Sequence, residues 1–318
     1  MRAILQELVY DAPVGGAVWP FDRHYIRPPH FHGQVEFLLV RSGTATVHLG
    51  TRAERLRAGQ LCWILPCLPH VMSDFSADFD MWVVELEAPI VAASWEVVTG
   101  HADDDRRAPR AQVFGWVAAM GERLAGRPVV DVGKEEARRL GEFAAGVWSA
   151  PSTKGVRDTL RALCELALRA TLASVKQRHG ATLTDLASSM LLASPLMDRR
   201  DLAADLGVSE GFVSRSFGRE LGVSFVEHRA RSRLAHFLAL VPDDSRNFLD
   251  AALAAGFGSY SQFHRVFTRV AGASPSDYFT TGRHRRQLLI SSDREQPHTA
   301  PMHMLSHRQR HRARLDRG

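Results

Sequence analysis

Ala254-Ala-Gly256-Phe257-Gly258-Ser259-Tyr260-Ser261-Gln262-Phe263-His264-Arg265-Val266-Phe267 is the stretch whose reading decides the fold. An Ala/Leu run that starts at Asp250 ends on Gly256. Ser259 then stands as an N-cap before a second helical run. The same pattern occurs fifty residues earlier. Asp201-Leu-Ala-Ala-Asp-Leu-Gly207 precedes Ser209, and Arg215, Phe217, Arg219, Gly222 and Ser224 correspond to Arg265, Phe267, Arg269, Gly272 and Ser274. Each copy reads as helix, glycine turn and second helix, the unit whose second helix can lie in a DNA major groove.

Apolar residues at helical spacing (Phe212, Val213, Phe217, Leu221; Phe263, Val266, Phe267, Val270) give each second helix a side to bury. The opposite side carries Ser214, Arg215 and Arg219 in the first copy, and Tyr260, Ser261, His264, Arg265 and Arg269 in the second. These side chains reach phosphates and base edges, and an arginine can contact guanine at two points. A lone copy would fit an all-helical bundle with solvated arginines equally well, but two copies in register favour DNA.

The region resembles the arabinose-regulator (AraC/XylS) family of transcription factors. The resemblance runs from near Leu183 to Gly282 and closes on Gly272-Ala-Ser-Pro275-Ser-Asp-Tyr278. It implies two recognition helices joined by a linker helix, here Phe225 to Leu240, entering successive major grooves. By position it implies base reading by Ser214 and Arg215, and by Tyr260, Ser261, His264 and Arg265. Arg219 and Arg269 would contact phosphate or their own domain. Gly211 departs from the pattern, because it offers no side chain at a reading position. The resemblance also implies RNA polymerase as a partner, a homodimer on paired sites, and activation rather than repression.

The first hundred residues differ in texture. Val35–Val40, Thr44–Leu49, Leu61–Leu65 and Met81–Leu86 are short β-favouring runs separated by Ser42-Gly43, Gly59 and Pro66 to Pro69. They suggest a small antiparallel barrel. Within it His30-x-His32-x-x-x-Glu36, followed by Gly43, resembles the first motif of the cupin superfamily. Gly59 and Pro66 to His70 match the second only in part. The resemblance implies a jelly roll with an inward pocket. His32-Gly-Gln-Val-Glu36 and Cys67-Leu-Pro-His70 look most like the melibiose-type regulators, which points to a sugar-like effector.

His30 and His32 share one strand face, with Glu36 further along it. With His70 they form a three-histidine, one-carboxylate set suited to Zn, Fe, Mn or Ni. A pocket without metal, in which these groups hold an effector or satisfy one another, is the other reading, and the expectation is that no cofactor is required. Trp19, Trp63 and Trp82 could stack on a sugar or serve as core; Trp19 and Trp82 are taken as pocket residues.

The whole chain has 318 residues, 45% hydrophobic, enough for more than one domain. No apolar run of about 18 residues offers a membrane span. The N-terminus does not read as a signal peptide, and three cysteines without disulfide spacing fit a reducing cytoplasm. The formal charge of +5 sits in the tail, where nine arginines oppose three acids after residue 282. Residues 198–282 carry ten of each sign, which favours placed contacts over bulk attraction. The tail reads as solvated chain, either a DNA clamp or without a role.

The expected architecture is multidomain α+β: a cupin-like antiparallel barrel over 1–103, a helical linker over 104–181, an all-α double helix-turn-helix over 182–282 and a basic tail over 283–318. A stripe of Leu160, Leu163, Cys164, Ala167, Leu168 and Thr171-Leu172 in the linker is either core or dimer surface. The expected function is a non-enzymatic, sequence-specific regulator of transcription that binds double-stranded DNA and a small polar effector. A metal-dependent cupin enzyme with a helical accessory domain is the rival from another class. A sensor whose helices bind a protein partner is the third reading.

Overall fold

The computed structural model describes residues 4–5, 15–21, 29–100, 116–117, 119–120, 128–150, 155–174, 182–241, 248–271 and 273–279. Two five-stranded sheets face one another in its N-terminal part. One orders β1 (Ile4–Leu5), β3 (His30–Phe31), β8 (His70–Ser73), β5 (Thr44–Leu49) and β6 (Arg52–Arg57). The other orders β10 (Val129–Asp131), β7 (Gln60–Ile64), β4 (Val35–Ser42), β9 (Asp80–Leu86) and β2 (Gly16–Pro20). Apart from the short parallel pair β1–β3, the neighbours run antiparallel, as expected for the barrel.

Side chains alternate across β4, yet Val35 to Val40 are all buried because both faces of its sheet are covered. Leu38 and Val40 point inward with Cys62, Ile64, Met81 and Val83, against Val47, Leu49 and Leu56 of the facing sheet. Val35, Phe37 and Leu39 point outward, where Trp63, Trp82, Val84 and Leu86 meet three helices. These are α1 (Ala88–Thr99), α2 (Lys134–Trp148) and α3 (Val156–Ser174). The Trp63 indole N–H donates to the Thr171 hydroxyl at 2.9 Å and pins α3 to the sheet.

Two expectations change here. The barrel does not end at residue 103: β10 lies in the stretch read as helical linker, and it completes the sheet by pairing with Leu61 and Cys62. The stripe Leu160, Leu163, Cys164, Ala167 and Leu168 is buried against the chain's own sheet. It is core, leaving none of these side chains for a dimer partner. The connections read at Asp103–Pro109 and Gln177–Thr182, and the basic tail, lie outside the described residues except for Thr182, which caps the next helix.

The C-terminal part is helical throughout its described residues. α4 (Leu183–Ala193) starts on a capping box between Thr182 and Asp185 and stops before Ser194-Pro195. α5 (Arg199–Asp205) is capped by the Asp198 carboxylate. α6 (Glu210–Ser216) is capped by Ser209 and runs on through a π turn at Phe217–Leu221. α7 (Phe225–Leu240) is the long linker helix, α8 (Phe248–Ala254) and α9 (Tyr260–Ala271) the second unit. Phe217, Leu202 and Phe225 centre one core; Phe237, Phe263 and Phe267 centre the other. Gly256 has φ +87, and a Cβ there would meet the Pro195 carbonyl at 2.6 Å, so glycine is required where the second unit abuts the first.

Candidate functional site

The two recognition helices present the residues their sequence places outside. Arg215, Arg219, Tyr260, Ser261, His264, Arg265 and Arg269 are exposed and Ser214 is half-buried, while Val213, Phe217, Phe263 and Phe267 are buried. The reading side chains are not equally engaged. Ser214 lies 3.5 Å from the Arg199 guanidinium, which itself pairs with Glu210 at 2.8 Å. Arg219 pairs with Glu220, and Arg269 with Glu227, each at 2.8 Å. The Arg215 guanidinium folds over Gly211, where a Cβ would meet its Nη1 at 3.2 Å. The residue that departs from the reading pattern therefore makes room for the arginine one turn on.

The second candidate site is inside the barrel. Antiparallel pairing of His30 with His70 joins β3 to β8, and Glu36 pairs across the sheet with Glu85. His30, His32, Glu36 and His70 are brought together as expected, all 5% exposed or less. The three histidines hold ligand atoms within 4.8 Å of one another, and so do His32, Glu36 and Glu85. His32 Nε2 lies 3.1 Å and His70 Nε2 3.8 Å from the same Glu36 oxygen. On their other side the rings meet backbone: His32 Nδ1 is 3.2 Å from the Gln34 carbonyl and His70 Nδ1 2.9 Å from that of Leu68.

Glu85 was not singled out from the sequence, although it is fully buried. Its signal was a carboxylate in the middle of the apolar run Met81–Leu86, at a position whose alternation faces inward. The same alternation corrects one expected pocket residue. Trp19 stays on the inner side, packing on that core, but Trp82 is one residue out of phase and faces the helices. There it lines a cleft of about 590 Å³ with Arg41, Lys134, Arg138 and Gly141, under the Arg41 guanidinium at 4.9 Å. Trp63 faces the helices too.

The barrel site also touches the DNA-reading half. Phe31, between His30 and His32, carries the Arg231 guanidinium of α7 over its ring at 4.4 Å. Cys67 has φ +65, an uncommon conformation for a side-chain-bearing residue. Its amide donates to the His32 carbonyl and its thiol to the Arg231 carbonyl, both at 2.8 Å. Burial outweighs the nearby Arg231 charge and pushes this thiol up to about 12, so it stays protonated and donates. Farther out, Thr51 donates to the Glu220 carbonyl, and Arg52 reaches Asp185 at 2.9 Å.

Both halves match known families. Residues 14–118 match the AraC-like ligand binding domain, and residues 202–281 match a helix-turn-helix domain. The chain belongs to the AraC-type DNA-binding transcriptional regulators that carry a ligand-binding domain, and its regulation is effector-controlled. The family is one of regulators rather than enzymes. The melibiose operon regulatory protein of Escherichia coli is 21% identical over 284 residues, covering 84% of this chain and 88% of that protein. A crystal structure of ToxT from Vibrio cholerae is similar at 12% identity and a TM-score of 0.41, covering 83% of this chain and 96% of that one. No described helix is long and apolar enough to cross a membrane.

Proposed function

We propose that this protein is a cytoplasmic activator that binds double-stranded DNA through α6 and α9 and responds to a small polar effector held by His30, His32, Glu36 and His70. The observation that supports the reading is physical contact between that cluster and α7, the helix shared by both recognition units, through Phe31, Cys67 and Arg231. A ligand favours one arrangement of the halves only by its difference in affinity for the two. A homodimer on paired sites and contact with RNA polymerase complete the proposal.

Arg215 and Arg265 read bases, with Ser214, Tyr260, Ser261 and His264 beside them. Arg265→Ala is expected to cost about 1–3 kcal/mol at the base pairs it contacts and little elsewhere. Arg269→Ala, which removes a side chain already paired to Glu227, is expected to weaken all sequences alike and lower the salt slope by about 1. Arg219→Ala belongs to the same class. Selection from a random DNA pool by the full-length protein at physiological salt tests the whole reading. Two short blocks about 10 base pairs apart are expected; a pool that stays unenriched would overturn it. Equal weakening on every sequence by Arg265→Ala would remove that residue from base reading.

A further inference from the structure

We propose that the cleft between α2 and the outer face of β4 and β9 is a second ligand site, separate from the barrel interior, and that it takes a small carboxylic acid with a compact apolar body. The carboxylate accepts from the Trp82 indole N–H and the Arg41 guanidinium, and the body lies along Ala137, Gly141 and Ala145 of the helix.

Two local costs meet at one point of the cleft wall. The Trp82 indole is 5% exposed, and among the described residues no acceptor lies within hydrogen-bonding distance of its Nε1. A buried indole N–H ordinarily finds a partner, and leaving it without one costs stability. Against it stands Gly141, in the middle of the 15-residue α2, where glycine is a poor helix former. Space does not demand that glycine. A Cβ there would make ordinary contacts, 3.7 Å to Trp82 Nε1, 3.8 Å to its Cδ1 and 4.0 Å to Arg41 Cδ. Alanine therefore fits and would strengthen the helix, but its methyl would stand beside the N–H. Glycine keeps that place for an oxygen from a ligand, which satisfies the indole and accounts for both costs at once.

Charge and shape choose the ligand. The Arg41 guanidinium closes over the Trp82 ring and pairs with Asp80, both of these charged side chains being more than a third exposed. Such a pair contributes little in water, so a carboxylate from solvent replaces Asp80 at nearly even exchange. Asp80 does not reach the indole N–H, whereas a ligand carboxylate bridges that N–H and the guanidinium through two charge-assisted bonds. The acids of the cleft are already engaged. Glu142 pairs with Arg138, and the Asp78 carboxylate accepts from the Ser76 hydroxyl at 2.7 Å. Lys134, at the start of α2, adds a further cation at the rim. Ala137 and Ala145 stand about one turn either side of Gly141, so the helix offers a flat apolar strip. A saccharide, with hydroxyls all round, would leave some of them unpaired against that strip; an apolar body covers it. The volume of about 590 Å³ lies in the range of small-molecule sites.

The probes are 2-naphthoate and its neutral counterpart 2-naphthamide, titrated by calorimetry into the full-length protein at physiological salt. One 2-naphthoate per chain is expected, with the amide about 10-fold weaker or worse. Gly141→Ala is expected to raise Tm, as alanine does inside a helix. The same variant is expected to weaken 2-naphthoate about 10-fold or more, because its methyl takes the acceptor's place beside Nε1. Trp82→Phe, which keeps an aromatic ring and removes the N–H, is expected to weaken the acid about 10-fold as well. A lowered Tm for Gly141→Ala would make the glycine a packing requirement and overturn the proposal. So would the absence of saturable binding, equal affinities for acid and amide, or an affinity that both variants leave unchanged. Binding lost in a folded His32→Ala protein but kept in Gly141→Ala would place the acid inside the barrel, which also overturns it.

Discussion

Acidification from pH 7 to pH 5 is expected to remove roughly 4 kcal/mol of stability from the DNA-binding half, through two buried histidines of α7. His228 lies against the Ser188 hydroxyl at 2.8 Å, and His236 donates to the Leu192 carbonyl at 2.5 Å; both partners belong to α4. Burial, with a smaller contribution from the Arg231 charge, lowers His228 from 6.5 to about 3. Burial lowers His236 to about 4, opposed by its bond to Leu192. Both rings are therefore neutral in the folded and the unfolded chain well above pH 6.5, where they contribute no pH dependence. Below 6.5 the unfolded chain takes up protons that the folded one refuses, so stability falls with pH until about 3–4. pH 5 lies about 1.5 units below the unfolded value of 6.5 and above both folded values, so each ring's loss there is worth roughly 2 kcal/mol. Urea midpoints at the two pH values measure the loss, and His236→Gln should remove about half of it. Equal midpoints would show that both rings accept a proton inside the fold.

Phe237→Ala is expected to cost about 3–5 kcal/mol. Its ring is fully buried, 4.2 Å from that of Phe263 and 5.8 Å from that of Phe267, with Phe248 at 6.0 Å. These contacts hold α8 and α9 on the C-terminal half of α7, while Phe217, Phe225 and Val213 hold the first unit on its other half. The damage should therefore be local. Hydrogen exchange is expected to rise across 248–279 while the barrel and α5–α6 stay protected, and DNA selection should retain the first block and lose the second. Uniform exchange along the chain would mean that the two units unfold together.

The DNA-reading half was legible because its signals are local: N-cap serines, glycine turns and a 3.6-residue apolar period written twice. The barrel was legible only where strands are buried on both faces. Arg52–Arg57 carries four charged residues, with only Leu56 buried in it, so its composition argues against the strand that it forms beside β5. Val129–Asp131 is three residues long and has no period of its own. His30, His32, Glu36 and His70 were found from spacing, whereas Glu85 needed the cross-strand register with Glu36. Trp82 shows the same limit from the other side: aromatic character suggested a pocket, and parity along β9 placed the ring behind it. The Leu160 to Leu168 stripe signalled burial correctly, but an amphipathic period does not name what covers it.

The position of β10 has a consequence for synthesis. Its partner β7 is buried at every residue from Gln60 to Ile64, yet the strand that covers it arrives 45 residues after β9 is complete. At ribosomal speeds of about 5–20 residues per second, that edge waits roughly 2–9 s as the chain is made. During that interval Leu61, Cys62, Trp63 and Ile64 present an open, apolar strand, a ready template for pairing with another nascent chain. Overproduction, where many such chains emerge together, should send this protein into aggregates sooner than its finished surface suggests. A truncation at residue 118, where the ligand-binding match ends, would make that passing exposure permanent.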